Sequence, residues 1–237
     1  MKNFFKKIFK IISVIISLLL IIALICYFVF NKPLPKGNNT KQADVLAKKM
    51  LTAINYEAYT TTRFLEWSFA NGSHSYKWDK KTDIVIVKWD DYTVDLNLND
   101  IYLSIVSKEN TKITAKESRE AFVTAWNYFN NDSFWLLAPF KVLDNGTTRK
   151  IVKLKDGSEG LLVTYGSGGT TPGDSYLWKI QPNGFPISYQ MWVDIIPIGG
   201  IEASWDEWKV MDNGIFLPSK HVIGPVTLDM GDIKAYN

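Results

Sequence analysis

Hydrophobic positions along this chain follow three different spacings, and each predicts a different element. From Ile11 to Phe30 they form a near-solid run, interrupted only by Ser13, Ser17, Cys26 and Tyr27. A helix rises about 1.5 Å per residue, so about 20 residues cross a hydrocarbon layer roughly 30 Å thick. Residues 11–30 are therefore expected to be a transmembrane helix. Residues 31–39 carry two prolines and a glycine and read as a short linker. From Thr40 to Tyr56 the spacing becomes helical. Ala43, Leu46, Ala47, Met50, Ala53 and Ile54 share one face, and Lys41, Asp44, Lys48 and Asn55 take the other. One amphipathic helix is predicted there.

The period then switches to two. Leu65, Trp67 and Phe69 alternate with Phe64, Glu66 and Ser68, and Asn71-Gly72 supplies a hairpin turn in which both residues tolerate positive φ. The return strand puts His74, Tyr76 and Trp78 on one face, and strands over Ile84–Trp89 and Tyr92–Leu98 continue the meander. A second helix interrupts it. Thr114 and Glu117 have capping-box spacing, after which Ala121, Phe122, Ala125, Trp126 and Phe129 fall on one face. Phe134–Leu137 reads as a short apolar segment stopped by Pro139. Strands resume over Thr148–Leu154, Glu159–Tyr165, Tyr176–Ile180, Pro186–Val193, Glu202–Met211 and Lys220–Ile223. This order, helix–strands–helix–strands, predicts an α+β, mostly β fold: a curved antiparallel sheet with helices on one face.

Charge orients the membrane helix. Lys2, Lys6, Lys7 and Lys10 precede the run with no acidic residue among them, and only Lys32 and Lys36 follow it closely. Basic flanks are retained in the cytoplasm, so residues 1–10 are expected inside the cell membrane and residues 40–237 outside, as a periplasmic or otherwise extracytoplasmic domain. A cleaved signal peptide has an apolar region of about 7–15 residues ending at small side chains, which this run does not match. A lipoprotein signal ending at Cys26 is the alternative, with Ile25 standing where such signals carry a small residue. An uncleaved anchor fits better. Of 27 basic residues, four belong to the leading segment, leaving 23 against 24 acidic ones in the rest. That balance gives no nucleic-acid footprint. Cys26 is the sole cysteine, so the outer domain folds without a disulfide, on a core that nine Trp and thirteen Phe can supply.

Signatures of chemistry are sparse. His74 and His221 are the only histidines, far apart, and a zinc site needs about four convergent ligands. There is no G-x-S-x-G elbow for a serine nucleophile. The glycine-rich stretch Gly166–Asp174 lacks the Gly-Lys-Ser/Thr ending of a phosphate loop and reads as an inter-strand loop. Asp79, Asp83, Asp90 and Asp91 sit at turns, where paired acids are usually solvated. No catalytic residue, metal site or cofactor is expected, and the protein is read as a non-enzyme.

Three segments carry a resemblance: FWLLAPFKVLDNG (Phe134–Gly146), TYGSGGTTPGDSYLWKI (Thr164–Ile180) and SWDEWKVMDNGIFLP (Ser204–Pro218). They resemble a family of cell-envelope proteins of Bacteroidota, and the last is similar to the closing strands of the periplasmic lipoprotein carriers (the LolA/LolB-like fold). The resemblance implies an incompletely closed antiparallel half-barrel with two or three helices packed on its open face, holding acyl chains in an apolar cavity. Unlike those carriers, this chain has a protein anchor, which implies capture or hand-over of cargo at the membrane rather than ferrying. The arginine that controls cargo in the carriers has no assignable counterpart here. The expected function is thus a membrane-tethered module binding an amphiphile or a lipoprotein acyl chain. The alternative is an envelope interaction or scaffold domain with a filled core, whose protein partner the sequence does not name. Candidate cavity residues are Trp67, Phe122, Trp126, Phe129, Trp135, Tyr189 and Met191. An apolar void of at least ~300 Å³ beneath the helix of residues 115–130 would separate the two readings.

Overall fold

A computed structural model describes residues 2–38, 41–109, 111–168 and 170–237, without the side chains of Lys2, Asn3, Ala23 and Cys26. Asn39 of the linker, Thr40 at the expected helix start and Gly169 of the glycine loop lie outside the described residues, as does the side chain of Cys26. Helix α1 (Lys2–Phe30) begins nine residues earlier than the apolar run suggested, and its stretch Phe4–Phe30 is long and apolar enough to cross a membrane. Residues 31–38, the described part of the expected linker, are tied to the domain. Asn38 pairs with Ile151 through hydrogen bonds of 3.0 and 2.9 Å, in the manner of a strand.

The helix expected over residues 40–56 is two helices, α2 (Lys41–Ala53) and α3 (Tyr56–Thr61). Asn55 breaks them. It takes a left-handed conformation (φ 59°), its Oδ1 caps α3 by accepting from the Ala58 N–H, and its Nδ2 donates to Gly214 O at 2.9 Å. The short polar side chain of asparagine tolerates that conformation and satisfies backbone groups the break leaves open.

Strands β1 (Phe64–Phe69), β2 (His74–Asp79), β3 (Ile84–Trp89), β4 (Tyr92–Asn97) and β5 (Ile105–Lys108) form an antiparallel meander, with a 3₁₀ turn at Ile101–Leu103 before β5. Leu65, Trp67 and Phe69 are buried as their alternation predicted. Helix α4 (Ala115–Leu137) follows and runs without a break through Phe134–Leu137, which is its last turn and not a separate segment. Then come β6 (Thr147–Lys153), β7 (Glu159–Tyr165), β8 (Ser175–Ile180), β9 (Pro186–Trp192) and β10 (Ile201–Ser204), again in sequential antiparallel order. The strand expected over Glu202–Met211 divides into β10 and β11 (Glu207–Val210), because Trp205 turns fully into the core between them. The last strands are β12 (Phe216–Ile223), β13 (Val226–Asp229) and β14 (Lys234–Tyr236).

Three sheets result, and hydrogen bonds knit them into one curved wall. The Val222 N–H donates to Ser204 Oγ, joining β12 to β10, and the Ser68 N–H donates to Met230 O, joining β1 to the segment after β13. β14 pairs directly with β1. The wall thus runs from β6 round to β5 and stays open between those edges, with α2, α3 and α4 packed on the structure. Trp178, Trp205, Tyr189, Phe140 and Met50 are among its fully buried side chains, all in one contiguous core.

Candidate functional site

Helix α4 is fastened to the sheet at three levels. At its start, Thr114 Oγ1 accepts from the Glu117 N–H at 3.2 Å, and Glu117 Oε1 accepts from Tyr92 OH at 2.7 Å and Lys108 Nζ at 3.1 Å. The Tyr92 hydroxyl and then the Lys108 ammonium hold the Glu117 carboxyl below its ordinary range. In the middle, Asp132 is 1% exposed. Its Oδ2 accepts from Tyr76 OH at 2.5 Å and faces His74 Nδ1 at 2.7 Å, while Oδ1 accepts from Asn131 Nδ2 at 2.8 Å. Burial first, and then the Asp132 charge, push the Tyr76 phenol far above its usual value, so it remains a neutral donor. His74 lies flat against Tyr128, with ring centres 3.9 Å apart.

At the end of α4, His221 is wholly buried between two carbonyls, Ser204 O at 2.8 Å from Nδ1 and Trp135 O at 2.7 Å from Nε2. Burial pulls this imidazole below its ordinary pKa, and the two carbonyls pull the other way. A neutral ring donates to one of them at a time.

Between the last turns of α4 and the β7–β9 face lies a cleft of about 460 Å³. Phe129, Phe134 and Trp135 from α4 face Tyr176, Tyr189 and Met191 from the sheet. One lip is the glycine-rich loop, through Ser167, Thr170 and Thr171, and the other is the β9–β10 loop, through Val193, Ile195 and Ile196. Asp174 ties the lips together. Its Oδ2 accepts from Thr171 Oγ1 at 2.6 Å and its Oδ1 from the Asp194 N–H at 2.9 Å. Asn130, Asn131 and Asn145 add amides to the rim, and Lys141 sits there paired with Asp144 at 3.1 Å. Burial pushes the phenols of Tyr165, Tyr176 and Tyr189 well up, so the aromatic walls carry no charge. An apolar trough with a hydrogen-bonding rim suits a molecule that is greasy over most of its length and polar at one end.

Of the residues singled out from sequence, Phe129, Trp135, Tyr189 and Met191 border this cleft. Trp67, Phe122 and Trp126 do not. Trp67 is 2% exposed and stacks on Tyr76 at 4.7 Å within the core. Phe122 packs edge-on to Tyr102, and Trp126 is half-buried on α4 outside the cleft lining. The void expected under residues 115–130 lies instead under residues 129–137, because Ala121, Phe122 and Ala125 pack into the core beneath the first half of the helix. Sequence reasoning missed Phe134, Tyr176, Ile195 and Ile196. The apolar run Val193–Ile198, interrupted only by Asp194, was the available signal for the last two. Among the described residues, no three His, Cys, Asp or Glu side chains gather as metal ligands.

No protein-family profile and no curated protein matches the chain. Among solved structures, it is similar to the crystal structure of a DUF1329 family protein from Desulfovibrio piger. The two share 12% identity over 84% of this chain and 93% of the other, with a TM-score of 0.40.

Proposed function

We propose that this chain is a non-enzymatic, membrane-tethered module, anchored by α1 with its N-terminus in the cytoplasm, whose extracytoplasmic domain binds an amphiphile or a lipoprotein acyl chain in the cleft beneath the end of α4. The observation that carries this reading is the cleft itself. It offers about 460 Å³ between uncharged aromatic and aliphatic walls, bordered by amide and hydroxyl groups and by the charged Lys141, Asp144 and Asp174. Each buried CH₂ of a chain contributes roughly 0.8 kcal/mol, so a few methylenes in such a trough already give useful affinity. The lysine asymmetry around α1 supports the orientation.

Lipid extraction and mass spectrometry of the purified protein, alongside titration with a fluorescent fatty acid, test the reading. The expected results are a co-purifying amphiphile and saturable binding. A protein that carries no lipid and ignores the fatty acid overturns it. The scaffold alternative draws on a different observation: β5 is an edge strand, and Tyr102 and Leu103 just before it and Ile105 within it are exposed, at 66, 68 and 68%. Unpaired edges with exposed apolar residues are places where another chain can add. Loss of a partner on Ile105→Lys, with the cleft empty, would favour that alternative.

A further inference from the structure

We infer that the loop Val193–Ile198 lies in the interfacial layer of the bilayer, so that the cleft opens onto lipid and its ligand enters directly from the membrane. This deepens the function proposed above and rests on α1 spanning the membrane.

The first two residues beyond the span hold both ends of this loop. The Lys32 N–H donates to Gly199 O at 2.9 Å, the Gly199 N–H donates to Asn31 Oδ1 at 2.8 Å, and Trp192 Nε1–H donates to Lys32 O at 2.7 Å. Glycine makes the clasp possible. A Cβ on Gly199 would stand 2.4 Å from Trp192 Cδ1 and 2.9 Å from Lys32 O, and one on Gly200 would stand 2.7 Å from Lys32 Cβ. Since Phe30 ends α1, both roots of the loop sit one or two residues from the hydrocarbon edge.

Chain length limits how far the tip can go. Six residues folded back on themselves reach at most about 10 Å from their roots, at roughly 3.4 Å per residue. The headgroup layer on each side of a bilayer is itself about 5–8 Å thick. Composition agrees with that placement. Val193, Ile195, Ile196, Pro197 and Ile198 leave Asp194 as the one polar side chain, and Ile195 is 70% exposed. Trp192, at the root, is the residue type that settles at membrane interfaces with its N–H bonded and its ring in the acyl boundary. Because Val193, Ile195 and Ile196 also line the cleft, the same side chains that meet lipid form the entrance.

The test uses the full chain with Cys26 replaced by serine, reconstituted in vesicles of phosphatidylethanolamine and phosphatidylglycerol. Ile195→Cys carries a polarity-sensitive fluorophore, and Lys81→Cys, in the exposed turn between β2 and β3, carries the same dye for comparison. Lipids bearing a shallow nitroxide should quench the label at position 195, with a blue-shifted emission, and leave the label at position 81 bright. Flotation of the vesicles reports on the span independently. Protein that floats with an unquenched label at position 195 overturns the inference and leaves the anchor standing. Protein that fails to float removes the span, and the inference falls with it.

Discussion

Removing the Asp132 carboxylate tests whether α4 is held by a buried charge or by packing alone. Asp132 is 1% exposed and Tyr76 3%, and the Tyr76 hydroxyl and His74 ring both meet its Oδ2, at 2.5 and 2.7 Å. Hydrogen bonds to a charged group contribute roughly 1.5–3 kcal/mol each. Two of them give about 3–6 kcal/mol for Asp132→Ala, which spans the roughly 3–5 kcal/mol cost of deleting one member of a buried pair and stranding the other. For a domain of this size that is a fall in Tm of about 10 °C. Tyr76→Phe removes one donor, keeps the ring against Trp67, and should cost about 1.5–3 kcal/mol. The two changes share one interaction, so the double variant should be less destabilised than their sum by more than about 1 kcal/mol. Urea unfolding of residues 31–237, followed by tryptophan fluorescence, measures all three. A loss below about 1 kcal/mol for Asp132→Ala, or simple additivity in the double variant, would refute the reasoning.

Three further outcomes are expected. Residues 31–237 should fold without α1 and melt at the same temperature with or without reducing agent, whereas a fragment beginning at residue 41 should be less stable, having lost the Asn38–Ile151 pairing. Arg63 donates to both oxygens of Asp79 and holds its carboxyl at about 2, below the ~3.9 of an unfolded chain. The folded state therefore binds fewer protons than the unfolded one between those values, and stability falls as pH drops through that window; Arg63→Gln should flatten this part of the urea-midpoint profile. Trp135→Ala should change which lipid co-purifies, read by mass spectrometry, while Trp126→Ala, outside the cleft lining, should lower stability and leave the lipid unchanged.

The strands β1 to β4 were legible because each has one buried face and an alternating pattern states which. The break at Asn55 was not. The apolar period runs on from Ala53 to Ile54 and Ala58, and the left-handed turn is supported by a local cap to the Ala58 N–H together with a distant carbonyl, that of Gly214, which no local pattern announces. The true end of α4 was hidden by Asn130-Asn131-Asp132-Ser133, which looks like a polar interruption. Yet Asp132 follows Ala125 and Phe129 and precedes Leu136 at helical spacing, so the buried face continues through it. β13 and β14 escaped notice because strands of four and three residues carry too few positions to show a period. The cleft was half legible for a related reason. Aromatic residues on α4 all announce burial, but whether Phe122 or Phe134 meets a partner or a gap depends on how the helix lies on the sheet, which no local pattern records.

The pairing of β14 with β1 has a consequence for how the chain is made. Tyr236 OH donates to Glu66 Oε1 across 170 positions of sequence. At about 5–20 residues per second, some 10–30 s pass between synthesis of the two strands. During that interval β1 offers a bare row of backbone donors and acceptors, a template for pairing with any neighbouring chain. The bidentate Arg63–Asp79 pair, at the residue just before β1, and the Lys77–Glu66 contact join β1 to its immediate hairpin partner and are available as soon as that hairpin forms. They place charge along the waiting edge, which is how natural sheets discourage wrong partners until the right strand arrives.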